Sequence, residues 1–310
     1  MKPPIKNLFL LPVLMAGLGL ILAGRATAQT FMTLHSFTTT SGSLSANGDG
    51  ANPSGGLVLS GNTLYGTTKE GGSLGRGTVF AVNTDGTGFR NLYNFSALSE
   101  VSAGTNNDGA NPAAGLVLSA DTLYGTAFAG GFSDRGTVFA LNTNGTGFAN
   151  LYNFEANGAY PNGLILSDNT LYGTTQQGPV VGSGTVFALN TNGTGFINPH
   201  TFSLAQGPDY TNSDGTSPYA GLVLSGSTLY GTTVGGGSLG RGTVFAVNTD
   251  GTGFTTLHNF CRLSQRRRWP TGRIGCIGQY PVWHNSEWWQ WFVRHGVRRP
   301  HRRHGFYEPV

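Results

Sequence analysis

Residues 29–260 contain no cysteine and no tryptophan, and only 10% of the whole 310-residue chain is charged. Without cysteine, this stretch can form no disulfide, thiolate metal site or cysteine nucleophile. Sparse charge together with 50 glycines fits neither a helical protein nor the highly charged type of disordered chain. Long apolar runs are also missing: beyond the N-terminus, no stretch approaches the roughly twenty residues that a helix needs to cross a bilayer. The N-terminus itself has Lys2 and Lys6, an apolar run from Leu8 to Leu22, and Ala26-Thr27-Ala28. That order of basic, apolar and small residues predicts a signal peptide over residues 1–28 and an exported protein, secreted or held at the cell surface. No membrane span is expected in the mature chain.

The calculated pI near 9.2 invites a nucleic-acid reading, but the distribution of charge opposes it. Ten of the 18 basic residues lie in 261–310, whereas residues 29–260 carry five basic and twelve acidic residues, a net of −7. All five tryptophans and both cysteines also fall in the last fifty residues. Two compositions share one chain.

The acidic part is repetitive. LYGT recurs with its tyrosine at Tyr65, Tyr124, Tyr172 and Tyr230, and GTVFA recurs from Gly77, Gly136, Gly184 and Gly242, both spaced by 59, 48 and 58. Residues 71–89 and 236–254 are the same nineteen letters, GGSLGRGTVFAVNTDGTGF. Self-similarity at such a period marks a repeat architecture. The units run over about 52–95, 111–154, 161–202 and 218–260.

Each unit holds four strand candidates, exemplified by GLVLS (56–60), TLYGTT (63–68), TVFAVN (78–83) and NLYNF (91–95). They are rich in β-branched and aromatic residues, are bounded by Gly, Asn and Pro, and are too short for helices. Asp85-Gly86, Asn144-Gly145, Asn192-Gly193 and Asp250-Gly251 predict tight hairpins between the third and fourth strands, because Asx-Gly tolerates the positive φ that such turns need. In TVFAVN, Phe80 and Val82 point one way and Val79 and Ala81 the other, so the strand needs apolar cover on both faces. Four short antiparallel strands per unit with such inner strands predict an all-β, propeller-like array of four-stranded antiparallel blades. Stacked flat sheets or a β-solenoid are the alternative, although a solenoid has shorter coils and less hairpin chemistry. FMTLHSF (31–37) matches only a fourth strand, which predicts an orphan strand able to complete the last blade and protect its edge.

GLVLSGNTLYGTT, GG-x-x-G-x-GTVFAVNTDGTGF and LYNF resemble the GloVer (Gloeo_Verruco) tandem repeat of secreted bacterial proteins over nearly all of 31–260. The resemblance implies export, repeat architecture and a surface anchor in many members. It implies no chemistry.

Residues 261–310 read as a fifth repeat in the wrong frame. If each codon is taken as one leftover base followed by the first two bases of the intended codon, Gln279 to His284 (QYPVWH) spell NTLYGT. Arg294 to Val297 (RHGV) spell GTVF, Arg302 to Phe306 (RRHGF) spell DGTGF, and Gln265 to Trp269 (QRRRW) spell NGDGG. A one-base insertion or two-base deletion near the codon for Phe260 or Cys261, as a mutation or a sequencing error, produces this pattern. The Arg- and Trp-rich composition that would otherwise suggest phosphate contacts and base stacking, and His295, His301 and His304 as metal ligands, thereby lose their meaning. No nucleic-acid partner is expected, and the segment as written is not expected to fold natively.

Candidate chemistry in the body is thin. Gly86-Thr87-Gly88 and its copies precede a strand and not a helix, so they read as hairpin turns and not phosphate cradles. The loops Asn47-Gly48-Asp49-Gly50-Ala51-Asn52-Pro53 and Asn106-Asn107-Asp108-Gly109-Ala110-Asn111-Pro112 loosely resemble a calcium loop. Each holds one carboxylate, however, and Asn157-Gly158-Ala159-Tyr160-Pro161 holds none, which favours a plain turn. His35, His200 and His258 occupy the place of Tyr93 and Tyr152 and read as interchangeable aromatic packing. Arg76, Arg135 and Arg241 precede GTVF, with Ser183 in the third unit; they could ring one face toward an anion or acidic glycan, or simply solubilise loops.

The acids are scattered, so no convergent acid–base pair is visible. No catalytic, cofactor-binding or metal-ligating residue is assigned, and no cofactor is expected. The expected function is a non-catalytic structural or interaction module with an extracellular glycan or protein as partner. The alternatives are a carbohydrate- or ligand-binding propeller and a propeller polysaccharide hydrolase or lyase. Resequencing of the gene around codon 260 is expected to show one base too many or two too few; an unambiguous read of the present frame, shared by related strains, would overturn the frame reading.

Overall fold

The computed structural model describes residues 31–99 and 104–261. The expected signal segment 1–28 and, apart from Cys261, the segment 261–310 expected to be out of frame lie outside the described residues. The strands that periodicity and turn chemistry predict form four antiparallel sheets. The first is a meander of β1 (Val58–Ser60), β2 (Thr63–Thr68), β3 (Thr78–Asn83) and β4 (Arg90–Asn94). The second repeats it with β5 (Val117–Ser119), β6 (Thr122–Ala127), β7 (Thr137–Asn142) and β8 (Ala149–Asn153).

The third sheet has β9 (Ala159–Pro161), β10 (Ile165–Ser167), β11 (Thr170–Gln177), β12 (Thr185–Asn190) and β13 (Ile197–Thr201). The fourth has β14 (Thr216–Pro218), β15 (Val223–Ser225), β16 (Thr228–Gly235), β17 (Thr243–Asn248) and β18 (Thr255–Asn259).

Two expectations need correction. The third and fourth sheets have five strands, not four, because β11 and β16 run to eight residues and their far ends pair with β9 and β14. In the first two units the same contact is a single bridge, Ala51 to Glu70 and Ala110 to Ala129. Segment 31–37 forms no strand, since its backbone enters no ladder among the described residues. It nevertheless packs as a fourth strand would: the ring of Phe37 lies 5.4 Å from Phe80 and 5.8 Å from Phe89.

Register explains the glycine of LYGT. Gly66 pairs with Phe80, Gly125 with Phe139, Gly173 with Phe187 and Gly231 with Phe245. Each phenylalanine ring lies across its glycine, and a Cβ on Gly173 would sit 2.5 Å from the Cζ of Phe187. A side chain there would push the largest core residue of the blade out of place.

The sheets stack face to face, and the core lies between them. Val79 and Ala81 of the first unit meet Leu116, Leu123, Phe139 and Leu141 of the second. Val138 and Ala140 meet Leu164, Leu171, Phe187 and Leu189, and Val186 meets Leu222, Leu229, Phe245 and Val247. The Val/Ala face of the third strand in each of the first three units thus packs on the Phe/Leu face of the next unit, at about 1.5–3 kcal/mol for each large side chain fully buried. This is a propeller-like array of antiparallel blades.

Its first end shows what stacking supplies. Leu116, Leu164 and Leu222 are 7%, 7% and 3% exposed, whereas Leu57 at the same position, with only segment 31–37 before it, is 52% exposed. Gly173→Ala is expected to destabilise the protein by about 1–3 kcal/mol through overpacking, read as a lower denaturant midpoint, while Gly56→Ala, with nothing within 4 Å of its Cβ and no positive φ, is expected to cost less.

Candidate functional site

The recurring polar residues converge where one unit hands over to the next. The fourth strand of a unit presents an aromatic residue, then Phe two positions on, then Ser or Thr. The following loop carries Asp, and the carboxylate folds back onto that strand. Asp108 accepts hydrogen bonds from Tyr93 Oη at 2.7 Å, from the Ser96 amide at 2.9 Å and from Ser96 Oγ at 2.9 Å. Asp49 accepts from the Thr38 amide and from Thr38 Oγ1, and pairs with His35 Nε2 at 3.0 Å. Asp214 pairs with His200 Nε2 at 3.2 Å and accepts from the Ser203 amide and Ser203 Oγ. In the third unit Asn157 replaces Asp, bonded to Tyr152 Oη and to the Glu155 amide.

The aromatic member is stacked as well as bonded. His35 lies 3.6 Å from Phe89, Tyr93 3.9 Å from Phe148, Tyr152 4.0 Å from Phe196 and His200 3.7 Å from Phe254, all within 8° of parallel. Each of these phenylalanines belongs to the GTGF of the following unit. One end of the aromatic ring system is therefore apolar contact and the other a hydrogen bond, which suits Tyr and His and excludes Phe at this position. The reading of His35 and His200 as packing alone is corrected: they also hold a carboxylate.

Beside each carboxylate stands an asparagine that makes four bonds. Asn47 Oδ1 accepts from the amides of Gly50 and Gly72, both at 2.8 Å, and its Nδ2 donates to the carbonyls of Gly50 and Thr38. Asn106 and Asn212 repeat this arrangement. The loops that resemble calcium loops thus turn the Oδ1 of Asn47 and Asn106 and both carboxylate oxygens of Asp49 toward protein donors, whereas Asp108 takes its donors on Oδ2 and its Oδ1 is buried without a partner. Among the described residues, no group of three or more His, Cys, Asp or Glu could hold a metal ion.

Electrostatics follow from these contacts. Burial pushes the Asp214 carboxyl up, but the hydrogen bonds from His200 and Ser203 outweigh it and hold the group below the ordinary carboxylate range. Asp49 is lowered in the same way: burial opposes, and Thr38 and His35 prevail. Burial and the adjacent Asp108 raise the Tyr93 phenol well above its ordinary value, so it stays a donor. The chemistry is centred on the carboxylate. Ser203 and His200 both bond Asp214, so the serine hydroxyl is held by the carboxylate, whereas nucleophile activation would need it on the imidazole.

The arginines serve the handover through their backbone. The carbonyls of Arg76, Arg135 and Ser183 accept from the amides of Asn111, Tyr160 and Ser217 in the next unit, at 2.9, 2.9 and 2.6 Å. Those three acceptor-facing residues, and Asn52 at the start of the first unit, all have φ between 53° and 60°. Arg76 lines a shallow cleft of about 310 Å³ with Ser43, Glu70 and Asn111. Among the described residues, the ion pairs are His35–Asp49 and His200–Asp214, and none involves an arginine.

The aspartates were legible only as turn residues. A usable signal does exist: Thr38, Ser96 and Ser203 follow the phenylalanine wherever the next loop carries Asp, and Glu155 stands there where it carries Asn157.

Residues 96–274 match the family model described as the Gloeobacter/Verrucomicrobia repeat. No curated protein matches the sequence. Among solved structures, the chain is similar to a nidogen/laminin complex (18% identity, 65% of this chain and 60% of that one, TM-score 0.41). It is also similar to TolB from Acinetobacter baumannii (14%, 64% and 42%, TM-score 0.41) and to a GH74 enzyme from Niastella koreensis (14%, 66% and 28%, TM-score 0.41). The chain spans less than two thirds of the length of each.

A depressed carboxyl stabilises the fold above the pH range in which the unfolded carboxyl titrates, and that stabilisation is lost as pH falls through the folded value. Asp214→Asn is therefore expected to cost about 1–3 kcal/mol at pH 7 and to flatten the loss of stability between neutral pH and pH 3, measured by denaturant midpoints across that range. Parallel curves for the two proteins would contradict the clamp.

Proposed function

The chain belongs to the Gloeobacter/Verrucomicrobia repeat family, and from that premise we propose that it is an exported structural or interaction module without a catalytic centre. The observation that carries this reading is the use made of the recurring polar groups. In a repeat protein, residues that return in every unit are the natural candidates for repeated chemistry. Here Asp49, Asp108 and Asp214, with their His, Tyr, Ser and Thr partners, are bonded to one another between successive units. Apart from the buried, unpartnered Oδ1 of Asp108, their carboxylate oxygens bond across the handover and fasten the array.

Export is supported by Lys2, Lys6, the Leu8–Leu22 run and Ala26-Thr27-Ala28. The acidic body supports a glycan or protein partner over a nucleic acid. Exposed side chains on the unit rims, Tyr219 and Phe132 among them, offer contact surface on a rigid frame. The Arg- and Trp-rich end belongs to a shifted reading frame and takes no part in this function.

Two measurements test the proposal. Mass spectrometry of the culture medium and the cell surface of the producing organism is expected to find a mature chain beginning at Gln29; retention in the cytoplasm with residues 1–28 intact would overturn export. Incubation with a panel of polysaccharides is expected to release no reducing ends, while glycan-array or pull-down binding at the unit rims would fit; turnover above a heat-denatured control would overturn the non-catalytic reading.

A further inference from the structure

The fourth unit turns an incompletely covered face outward. Val79, Val138 and Val186 are fully buried, whereas Val244 at the same place is only partly buried. Leu92 is 9% exposed and its counterpart Leu257 is 47% exposed. His35, Tyr93, Tyr152 and His200 are partly buried, but His258 is exposed.

In the earlier interfaces, three groups of the following unit cover these positions. Its GTGF phenylalanine stacks on the His or Tyr ring. Its loop Asp or Asn binds the polar edge of that ring. Its turn glycine lies against the backbone of the residue before the ring. A Cβ on Gly86, Gly145, Gly193 or Gly251 would come within 2.9, 3.2, 2.9 and 2.9 Å of the carbonyl oxygens of Leu34, Leu92, Leu151 and Pro199. Leu257 continues that series.

We propose that the face formed by Val244, Leu257 and His258 is built to receive a fifth repeat unit, spelled by codons 261–310 read one base out of register; the proposal rests on that reading of the frame. The shifted text supplies all three covering groups. With the codons that fit the repeat, it places Asp at codon 267 within N-G-D-G, and the turn glycine and the stacking phenylalanine of D-G-T-G-F at codons 303 and 306. Within the blade, spacing agrees with the folded units, whereas the loop Asp at codon 267 stands fifteen positions before the tyrosine at codon 282 and Asp49, Asp108 and Asp214 stand sixteen before Tyr65, Tyr124 and Tyr230. The tyrosine of LYGT precedes the glycine of GTVF by twelve positions in Tyr65–Gly77 and Tyr230–Gly242, and by twelve between codons 282 and 294. That glycine precedes the turn glycine by nine positions in Gly77–Gly86 and Gly242–Gly251, and by nine between codons 294 and 303. The fifty residues from 261 to 310 match one repeat, since successive units are spaced by 48 to 59.

A second copy of the chain fits the face less well. Its own first unit already has Phe80 and Phe89 covered by Phe37, and His35 stacked on Phe89. Docking would require that segment to leave.

The test compares the full chain as written with the full chain after removal of one base next to codon 261. The restored chain is expected to be monomeric, to melt at least about 4 °C higher, and to exchange the amides of 243–259 at least about 10-fold more slowly. Leu257→Asp is expected to abolish the gain in the restored chain and to shift the melting temperature of the written chain by less than about 1 °C, since Leu257 is exposed there.

Equal melting and equal exchange in the two chains would overturn the proposal, as would an equal effect of Leu257→Asp in both. If the written chain self-associates and thereby protects 243–259 while the restored unit leaves them exposed, the occupant is a second copy and the proposal fails. If the restored chain precipitates, the exchange rates of 243–259 in the freshly refolded soluble fraction decide in the same way. Resequencing addresses the frame reading separately: a genuine present frame would remove the fifth unit from the natural protein without altering what the face accepts.

Discussion

Burial of both faces of the third strand governs this structure, because TVFAVN and its copies alternate large apolar residues with small ones and leave no side suited to water. A single unit would expose either the Val/Ala face or the Phe/Leu face. Each unit therefore requires a neighbour on either side, and the three core clusters are interfaces between units. The blade has little core of its own. Stability in such an array is a sum of units and nearest-neighbour interfaces, so what happens at the ends matters as much as what happens within. The contrast between exposed Leu57 and buried Leu116, Leu164 and Leu222 is that principle seen at one residue.

Apolar stacking sets the distance between blades but is nondirectional, and the polar handover supplies the direction. A carboxylate that takes a ring O–H or N–H, an amide and a hydroxyl from the preceding strand can be satisfied in few geometries. It positions the loop, and the loop positions the next β-meander. The His–Asp, Tyr–Asp and Tyr–Asn versions keep the geometry and change the charge. The carboxyls of Asp49 and Asp214, which meet His35 and His200, are held below the ordinary range, while the Tyr–Asn handover has no aspartate. This use of the titratable groups is also why the recurring residues support a scaffold over a repeated active site.

The strands, hairpins and two-faced third strand were legible because they depend on local pattern. LYGT, GTVF and the Asx-Gly turns each imply their structure within a few residues. The orphan segment 31–37 was legible as a fourth strand in its side chains and misleading in its backbone. His35 and Phe37 take the expected aromatic contacts, but a ladder requires a paired strand, and among the described residues this segment has none. The Asp clamps were not legible, since one Asp in a Gly-rich loop satisfies a turn, a metal loop and a tertiary bond equally well, and only the fold places Tyr93 within 2.7 Å of Asp108. The arginines misdirected attention for the opposite reason. Their recurrence is visible in sequence, yet the recurring contact is made by the carbonyl, a group that every residue has, as Ser183 demonstrates.

The sequence by itself determined the repeat, the all-β class, the four-strand order within each unit, and the abrupt change of composition near residue 260, because each follows from short-range periodicity or from composition. Only the tertiary structure decided which face of one unit meets which face of the next, that the loop aspartates are bound by protein donors, and that the fourth unit ends on a face open at Val244, Leu257 and His258. Those outcomes depend on residues tens of positions apart being brought within hydrogen-bond or van der Waals distance, and no local pattern encodes that proximity.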